Sequence, residues 1–393
     1  MSFDPVLLQP FAQNYDWGKV GKSSKVAQLL NAGYQTMIAT EKAYAELWMG
    51  DHPNGPCSIL SGESWTPISE YLRHKSTGGI KFLFKVLSVN KGLSIQSHPD
   101  EELARELHAK FPEVYKDPNP KPELAIALTN FRALFGFRPL HDIILFFDAI
   151  TPLSKVVPRN IQRDLGNAKQ DSERRDALRA AYTCLMRSPV EIVRETVQEV
   201  TAFQINETTH AIVSEAINLA RALDAQFPGG DVGVLSVFFL NIVDLKPGEC
   251  LFMGANVPHA YLSGDILECM TSSDNVIRGG LTPKFKDVDT LVASLDYSPT
   301  TPELLKPSLV GDRFPCWSPP DVPFAVARYS LNSNAAEIVT SSNGPSIGLV
   351  MAGSGRVGSL SLKEGQCCLL APSSKLLLEP MNDVFDVYIA YSP

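Results

Sequence analysis

A helical segment enclosed between two β-rich segments is the feature that most constrains the fold. From Pro139 to Phe227 apolar residues recur at three- and four-residue spacing, as in DSERRDALRAAYTCLMRS and ETTHAIVSEAINLARALDAQF, which is the period of an amphipathic helix. The sequence on either side contains short apolar runs separated by Pro/Gly turns, which predicts strands. We therefore expect a mainly β protein with a helical insert, and its short strands favour a sandwich or jelly roll over a doubly wound sheet.

The changes between helical and strand-like sequence patterns divide the 393 residues into four segments. We expect residues 1–138 and 230–297 to form one β unit and residues 139–229 to form a helical domain inserted in it. Residues 298–393 are predicted to form a second β unit, and from Asp231 onward we expect strands.

The second β unit contains a weak echo of the first. The turn at 246–249 (KPGE) leads to His259, and the turn at 363–366 (KEGQ) leads to Ser373. If the two hairpins are equivalent, serine takes the place of histidine, and the second unit is predicted to lack a metal site.

Composition narrows the function class. With 35 basic and 43 acidic residues the net charge is −8, and 44% of the residues are hydrophobic; this argues against a disordered chain and against a broad nucleic-acid-binding face. The start of the chain lacks the features of a signal peptide, and the most apolar run, 232–243, is too short to cross a bilayer. Seven cysteines without a CxxC pair fit reduced thiols. We expect a cytoplasmic protein without nucleic-acid or membrane partners.

Polar residues of one predicted edge strand provide the first candidate site. In LSIQSHPD the side chains of Ser94, Gln96 and His98 share a face, because successive side chains of a strand alternate. An amide oxygen and an imidazole nitrogen side by side can bind a divalent ion. The same residues also fit a structural role as the hydrogen-bonded polar face of an edge strand.

Two further motifs add donors. In NPKPELAIAL two prolines hold the chain extended, so Lys121 and Glu123 point the same way; alone, they also fit a surface ion pair. In VPHAYLSGDILECM the side chains of His259 and Tyr261 share a face by the same alternation.

Taken together, the donors of these strands suit zinc. Gln96, His98, Glu123 and His259 supply two nitrogens and two oxygens, a mixed set that leaves room for water or substrate. The remaining histidines have no comparable partners nearby in the sequence: His52, His74, His108, His141 and His210.

Glu268 is a candidate proton carrier, because it stands between apolar residues on both faces of its predicted strand. A carboxylate there is either paired or has a raised pKa. Further along, Arg278 precedes two glycines, and with Lys284 it brackets a turn that could grip a phosphate. Both features also fit structural roles, as a bonded buried glutamate and as a glycine turn with solvated cations.

These motifs resemble, in order, those of the type I phosphomannose isomerases of the cupin superfamily. The resemblance covers most of the chain and is weaker in the helical insert and the C-terminal unit. It rests on the segments NYDWG, AELWMG, LSIQSHPD, NPKPELAIAL and VPHAYLSGDILECMTSSDNVIRGGLTPKFKD.

The resemblance implies two cupin-like jelly-roll barrels plus an α-helical domain, and one Zn²⁺ per chain. It implies interconversion of mannose 6-phosphate and fructose 6-phosphate, which supplies mannose 6-phosphate for GDP-mannose and glycosylation. The implied partner is a small sugar phosphate, and we expect a monomer. Carried over, the metal ligands are Gln96, His98, Glu123 and His259; the catalytic arginine is Arg278; and the pocket residues are Ser94, Lys85, Lys121, Tyr261, Glu268 and Lys284.

The implied reaction moves a proton between C1 and C2 through an enediol or enediolate. It needs a base with a pKa near neutrality within hydrogen-bond reach of the carbon-bound proton. Glu268 is our candidate, and Lys121 or a zinc-bound water is the competitor. Lys85 is expected to join Arg278 and Lys284 in a positive phosphate pocket.

Two other functions stay open on the sequence alone. Two histidines and a carboxylate on a cupin-like barrel also describe a non-haem iron oxygenase, although Gln96 would occupy a position that oxygen chemistry needs. A non-enzymatic sugar-binding cupin would bind without turnover, and the Arg278/Lys284 cluster exceeds what binding alone requires.

Overall fold

The computed structural model describes residues 3–61 and 64–393. The strands, numbered in chain order, are β1 (Val6–Gln9), β2 (Phe11–Gln13), β3 (Lys19–Val20), β4 (Ala43–Tyr44), β5 (Glu46–Met49), β6 (Ser58–Ser61), β7 (Ser64–Pro67), β8 (Phe82–Val89), β9 (Ile95–Ser97), β10 (Glu123–Ala127), β11 (Phe131–Phe137), β12 (Leu240–Leu245), β13 (Cys250–Met253), β14 (His259–Thr271), β15 (Ile277–Gly280), β16 (Ser308–Val310), β17 (Phe314–Trp317), β18 (Ala325–Leu331), β19 (Ala336–Val339), β20 (Ser346–Val357), β21 (Leu360–Lys363), β22 (Cys367–Leu370) and β23 (Lys375–Tyr391).

The helices are α1 (Lys25–Tyr34), α2 (Ile68–Lys75), α3 (Glu101–Lys110), α4 (Leu140–Ala149), α5 (Arg159–Asn167), α6 (Asp171–Met186), α7 (Val190–Thr201), α8 (Ala211–Gln226), α9 (Val232–Ser236) and α10 (Val288–Ser294), with 3₁₀ turns at Gly21–Ser23 and Thr151–Lys155. Within the described ranges, no helix is long and apolar enough to cross a membrane.

Two large antiparallel sheets carry the fold. The first sheet runs β12-β11-β14-β8-β5-β2, with β9, β10, β13 and β15 attached beside it. The second sheet runs β16-β17-β18-β23-β20-β22-β1-β6-β7, with β19 and β21 attached. In the part of the chain described, neither ladder closes into a ring. The predicted class, mainly β with helices inserted, is confirmed.

The helical insert separates two strands that are neighbours in the first sheet. β11 pairs with β12 in antiparallel register, for example Ala133 with Val243, and α4 to α9 all lie between them in the chain. The helices form where apolar residues recur at helical spacing; in α6, Leu178, Tyr182 and Leu185 are buried together. The insert therefore begins and ends at adjacent points of the sheet.

The expectation of strands from Asp231 onward was wrong for α9 and α10. Each helix begins after an aspartate whose side chain accepts a hydrogen bond from the first turn, Asp231 from Gly233 N and Asp287 from Thr290 N. This capping satisfies a backbone donor and favours a helical turn over an extended one. The valine-rich composition of 232–237 does not prevent it.

The two faces of the first sheet have different surroundings. Phe84 and Val86 of β8 and Leu267 of β14 pack in a core shared with residues of the second sheet, such as Leu369. Lys85 and Glu268, which alternate with them, face the opposite side. One face thus builds the interior between the sheets, and the other is free to form a site.

The second sheet contains strands from the start of the chain. β1 pairs with β22 on one side and with β6 on the other, and β6 pairs with β7. The division into segments 1–138, 139–229, 230–297 and 298–393 stays a prediction.

Candidate metal and sugar-phosphate site

Three buried candidate metal ligands lie close together at the ends of strands in the first sheet. His98 follows β9, Glu123 begins β10 and His259 begins β14. His98 Nε2 lies 3.3 Å from Glu123 Oε1, and His259 Nε2 lies 3.5 Å from Glu123 Oε2. One ligand atom of each residue lies within 4.8 Å of the others. The convergence predicted from the sequence is present for these three residues.

The hydrogen bonds of the two imidazoles fit a metal ion. Nδ1 of His98 lies 2.8 Å from the Asn275 carbonyl oxygen, and Nδ1 of His259 lies 2.9 Å from that of Val257. A proton on Nδ1 leaves the Nε2 lone pair free, and within residues 3–61 and 64–393 both Nε2 atoms and Glu123 Oε2 lack a hydrogen-bond partner. Buried polar atoms are rarely left so, whereas metal-ligating histidines usually bond a carbonyl through the other nitrogen.

Electrostatics keep this donor set in its metal-binding form. Burial lowers the pKa of His98 to about 4, so the ring is neutral at physiological pH. Burial disfavours the Glu123 carboxylate, but the charge of Lys121 and the contacts with His98 and His259 outweigh this effect, and the pKa of Glu123 lies well below its usual range. Lys121 Nζ lies 3.3 Å from Glu123 Oε1.

Gln96, the fourth predicted ligand, sits beside this cluster. It pairs in register with His259 across β9 and β14 and with Arg278 across β9 and β15. Its side chain lines the same cavity as Glu123. Its role as a ligand stays a prediction.

The candidate base, Glu268, is held from two sides. Tyr261 donates its hydroxyl hydrogen to Glu268 Oε1 at 2.9 Å, and Lys85 Nζ lies 3.1 Å from Oε2. Burial, the largest cause, raises the pKa of Glu268, and Lys85 opposes this only in part. A raised pKa brings a carboxylate toward the range needed for proton transfer.

Lys85 is bound by two carboxylates. Glu46 Oε2 lies 3.4 Å from its ammonium, in addition to Glu268. Burial by itself would lower the pKa of Lys85. The two carboxylates have the larger combined effect, so the pKa of Lys85 is raised. These two carboxylates therefore balance the charge of Lys85. This lysine does not contribute a free cation to the positive pocket expected from the sequence.

A cavity of about 520 Å³ reaches this cluster at Glu123, while His98 and His259 lie behind its lining. Its lining includes the predicted residues Ser94, Lys85, Gln96, Lys121, Glu123, Tyr261, Glu268, Arg278 and Lys284.

Comparison with known proteins decides the family. A family model described as phosphomannose isomerase type I, catalytic domain, matches residues 6–140. Mannose-6-phosphate isomerase of Cryptococcus neoformans is 38% identical over 391 residues, which cover 89% of each chain. That of Rattus norvegicus is 39% identical over 354 residues, which cover 83% of this chain and 82% of the relative. The chain belongs to the mannose-6-phosphate isomerase family. Membership makes it an enzyme of the isomerase class.

Solved structures of this isomerase family agree with the fold and the metal. A crystal structure of mannose 6-phosphate isomerase in a holo, zinc-bound form superposes with a TM-score of 0.81 at 27% identity, covering 99% of this chain and 100% of that one. Together with the donor set formed by His98, Glu123 and His259, this confirms the prediction of zinc and of the cupin-type class.

Three polar residues that line the cavity were not identified from the sequence: Glu46, His52 and Asp274. Glu46 accepts a hydrogen bond from Trp48 Nε1 at 2.5 Å besides contacting Lys85. It is a carboxylate in a buried apolar strand, the same signal that pointed to Glu268. His52 lies 3.3 Å from Asp274, and both line the cavity; because 222 residues separate them, no local pattern reveals the pair.

Proposed function

We propose that this chain interconverts mannose 6-phosphate and fructose 6-phosphate. The observation that carries the proposal is a set of three buried ligand atoms that have no hydrogen-bond partner among the described residues, beside a cavity that also holds a buried carboxylate and cations. An isomerisation between neighbouring carbons requires a site for two substrate oxygens, a base and, for this substrate, a seat for phosphate. The family's name agrees with that set.

His98, Glu123 and His259 are the residues that would hold the zinc, with Gln96 as the fourth ligand. When bound, zinc supplies a Lewis acid that stabilises negative charge on the oxygens at C1 and C2. The chain's own contribution is a buried pair of imidazoles whose Nδ1 atoms lie against backbone carbonyls and whose Nε2 atoms both face Glu123.

Glu268 is the proposed base that removes the proton from one carbon and returns it to its neighbour. Its Oε1 accepts the Tyr261 hydroxyl hydrogen and its Oε2 lies 3.1 Å from Lys85 Nζ, and the two contacts together fix the plane of the carboxylate. Lys85 compensates the charge of the ionised form. Lys121, 3.3 Å from Glu123, is the competing candidate for this role.

Arg278, Lys284 and Ser94 are the proposed phosphate ligands. Arg278 is half-buried and Lys284 is exposed at the mouth of the cavity. Arginine offers a planar fork and lysine a point charge, which are complementary ways to bind a phosphate. We also place the protein in the cytoplasm as a monomer; its cysteines are all free thiols, which supports the reducing compartment.

A coupled assay tests the proposal. Purified protein should convert mannose 6-phosphate to fructose 6-phosphate, lose the activity on chelation and regain it with zinc. Absence of turnover in the zinc-loaded protein would reject the isomerase, and full turnover after verified metal removal would reject the metal's role. Iron-dependent oxygen consumption would instead support the oxygenase.

A further inference from the structure

The cavity contains more cations than the phosphate seat proposed above uses. Lys85, Lys91, Lys121, Arg278 and Lys284 all line it. Lys85 is paired with Glu46 and Glu268, and Lys121 is paired with Glu123. In the described part of the chain the other three, Lys91 included, form no ion pair with a carboxylate. An unpaired half-buried cation in an anion-binding cavity is available to a ligand.

The strand register places Lys91 at the same end of the cavity as Lys284. β9 and β15 run antiparallel, with Gln96 opposite Arg278 and Ile95 opposite Gly280. Residues 91–94 precede β9 and residues 281–284 follow β15. Because the strands are antiparallel, both segments leave the ladder at one end, away from His98 on the far side of β9.

The helical insert fixes both segments. Gln226 Oε1 accepts a hydrogen bond from Gly92 N at 2.8 Å. Asp231 Oδ1 accepts one from Leu281 N at 2.7 Å. Gln226, the last residue of α8, and Asp231, which precedes α9, therefore hold the two segments on either side of one opening.

The side chain and backbone of Lys91 are also held. Its Nζ lies 4.5 Å from the centroid of the Phe227 ring, and Phe227 itself lines the cavity. The backbone N–H of Lys91 donates to the Trp17 carbonyl oxygen at 3.0 Å. An ammonium over an aromatic face has three N–H donors, and those turned away from the ring can bind an anion.

We propose that Lys91, supported by Phe227 of the helical insert, is a further ligand of the substrate phosphate and completes the seat with Arg278 and Lys284. The inference rests on the proposed function and assigns the insert a part in substrate binding. Lys91 takes the place predicted for Lys85, whose charge is compensated by Glu46 and Glu268.

Steady-state kinetics of zinc-loaded Lys91→Ala test this assignment. We expect KM for mannose 6-phosphate to rise about five- to twentyfold, the range of a charge-assisted contact at a partly exposed site, with kcat changed less than about twofold. Inhibition by inorganic phosphate should weaken by a similar factor. Lys91→Arg, which keeps the charge, should restore both values most of the way.

Two controls keep the result specific. Lys246→Ala removes the same charge from an exposed turn outside the cavity and should leave KM unchanged. Lys91→Met keeps an unbranched side chain of similar length beside Phe227 and removes the charge, so a KM increase there reports the lost charge rather than lost side-chain volume. An unchanged KM and unchanged phosphate inhibition in Lys91→Ala, or an equal KM increase in Lys246→Ala, would overturn the assignment. Absence of turnover in the wild-type protein would instead overturn the proposed function.

Discussion

The turns at 246–249 and 363–366 have the same backbone and different consequences. In each, the fourth residue's N–H donates to the first residue's carbonyl, Glu249 to Lys246 at 2.9 Å and Gln366 to Lys363 at 3.0 Å. In each, the fourth side chain accepts a bond from the first N–H, at 2.8 Å and 3.0 Å. The third residue is a glycine with φ of 88° and 82°. The weak sequence echo is thus a real structural repeat.

The strands after the two turns differ in the side chains they carry. β13 leads to β14, which carries His259 to the group of three candidate metal ligands and Glu268 into the cavity. β22 leads through Ser373 to β23, whose buried residues, such as Phe385 and Val387, form an apolar core. The two hairpins share the path of the backbone at the turn, and a few side chains on the strands that follow decide which sheet carries chemistry.

Removing the histidine that distinguishes the two hairpins should have the largest effect. His259→Ala deletes one of three converging ligand atoms, and we expect zinc content near zero and kcat lower by at least about 10³-fold, since a catalytic metal contributes several kcal/mol. Ser373→Ala, at the matching place after the second turn, should leave both unchanged. Metal analysis and the coupled assay measure zinc content and kcat of both variants. A His259→Ala protein that retains zinc and activity would show that His259 is not what distinguishes the two hairpins.

Removing the base should affect turnover without affecting the metal. Glu268→Gln keeps an acceptor for Tyr261 and cannot take a proton, so we expect kcat to fall about 10²–10³-fold with zinc content intact. Near-normal turnover would transfer the role to Lys121.

The pH dependence of kcat tests Glu268 as the base. Because burial raises the pKa of Glu268, the carboxyl takes up a proton at a higher pH than an ordinary glutamate. As the pH falls through that raised pKa, the base is lost and kcat should fall. Zinc content measured at each pH separates this loss from metal release, and Glu268→Gln should lack this limb in its residual rate.

The two turn glycines should differ in stability although their backbones agree. A Cβ at Gly365 would lie 2.0 Å from the Leu29 carbonyl oxygen of α1, whereas nothing lies within 4 Å of one at Gly248. We expect Gly365→Ala to lower the free energy of unfolding by about 3 kcal/mol or more and Gly248→Ala by about 1 kcal/mol, the strain of a positive φ. Equal losses in chemical denaturation would show that α1 does not constrain the second turn.

Local patterns predicted most of the site, because its residues lie on strands with a period of two. Alternation placed Gln96 with His98 and His259 with Tyr261, and apolar flanks marked Glu268. The resemblance added the proposed substrate.

Long-range pairing is the part of the fold that local patterns left out. β1 joins the second sheet through partners more than 350 residues away, and no periodicity specifies that choice. The compensation of Lys85 by Glu46 depends on β5 lying beside β8. The role proposed for Lys91 likewise depends on the end of the pairing between β9 and β15. The position of that end is known from the strand register and not from a local sequence pattern.

The smallest expected effect comes from the second sheet's own buried carboxylate. Asp386 on β23 accepts two hydrogen bonds from the Arg328 guanidinium, at 2.9 Å and 3.0 Å. Both carboxylates are engaged on both oxygens, but Glu268 lines the cavity and Asp386 does not. Asp386→Asn should lower the free energy of unfolding by about 1–2 kcal/mol and leave kcat per bound zinc unchanged. A double-mutant cycle with Arg328→Gln measures the pair; if kcat fell as it does for Glu268→Gln, the second sheet would take part in the chemistry, and side chains of the first sheet alone would no longer explain it.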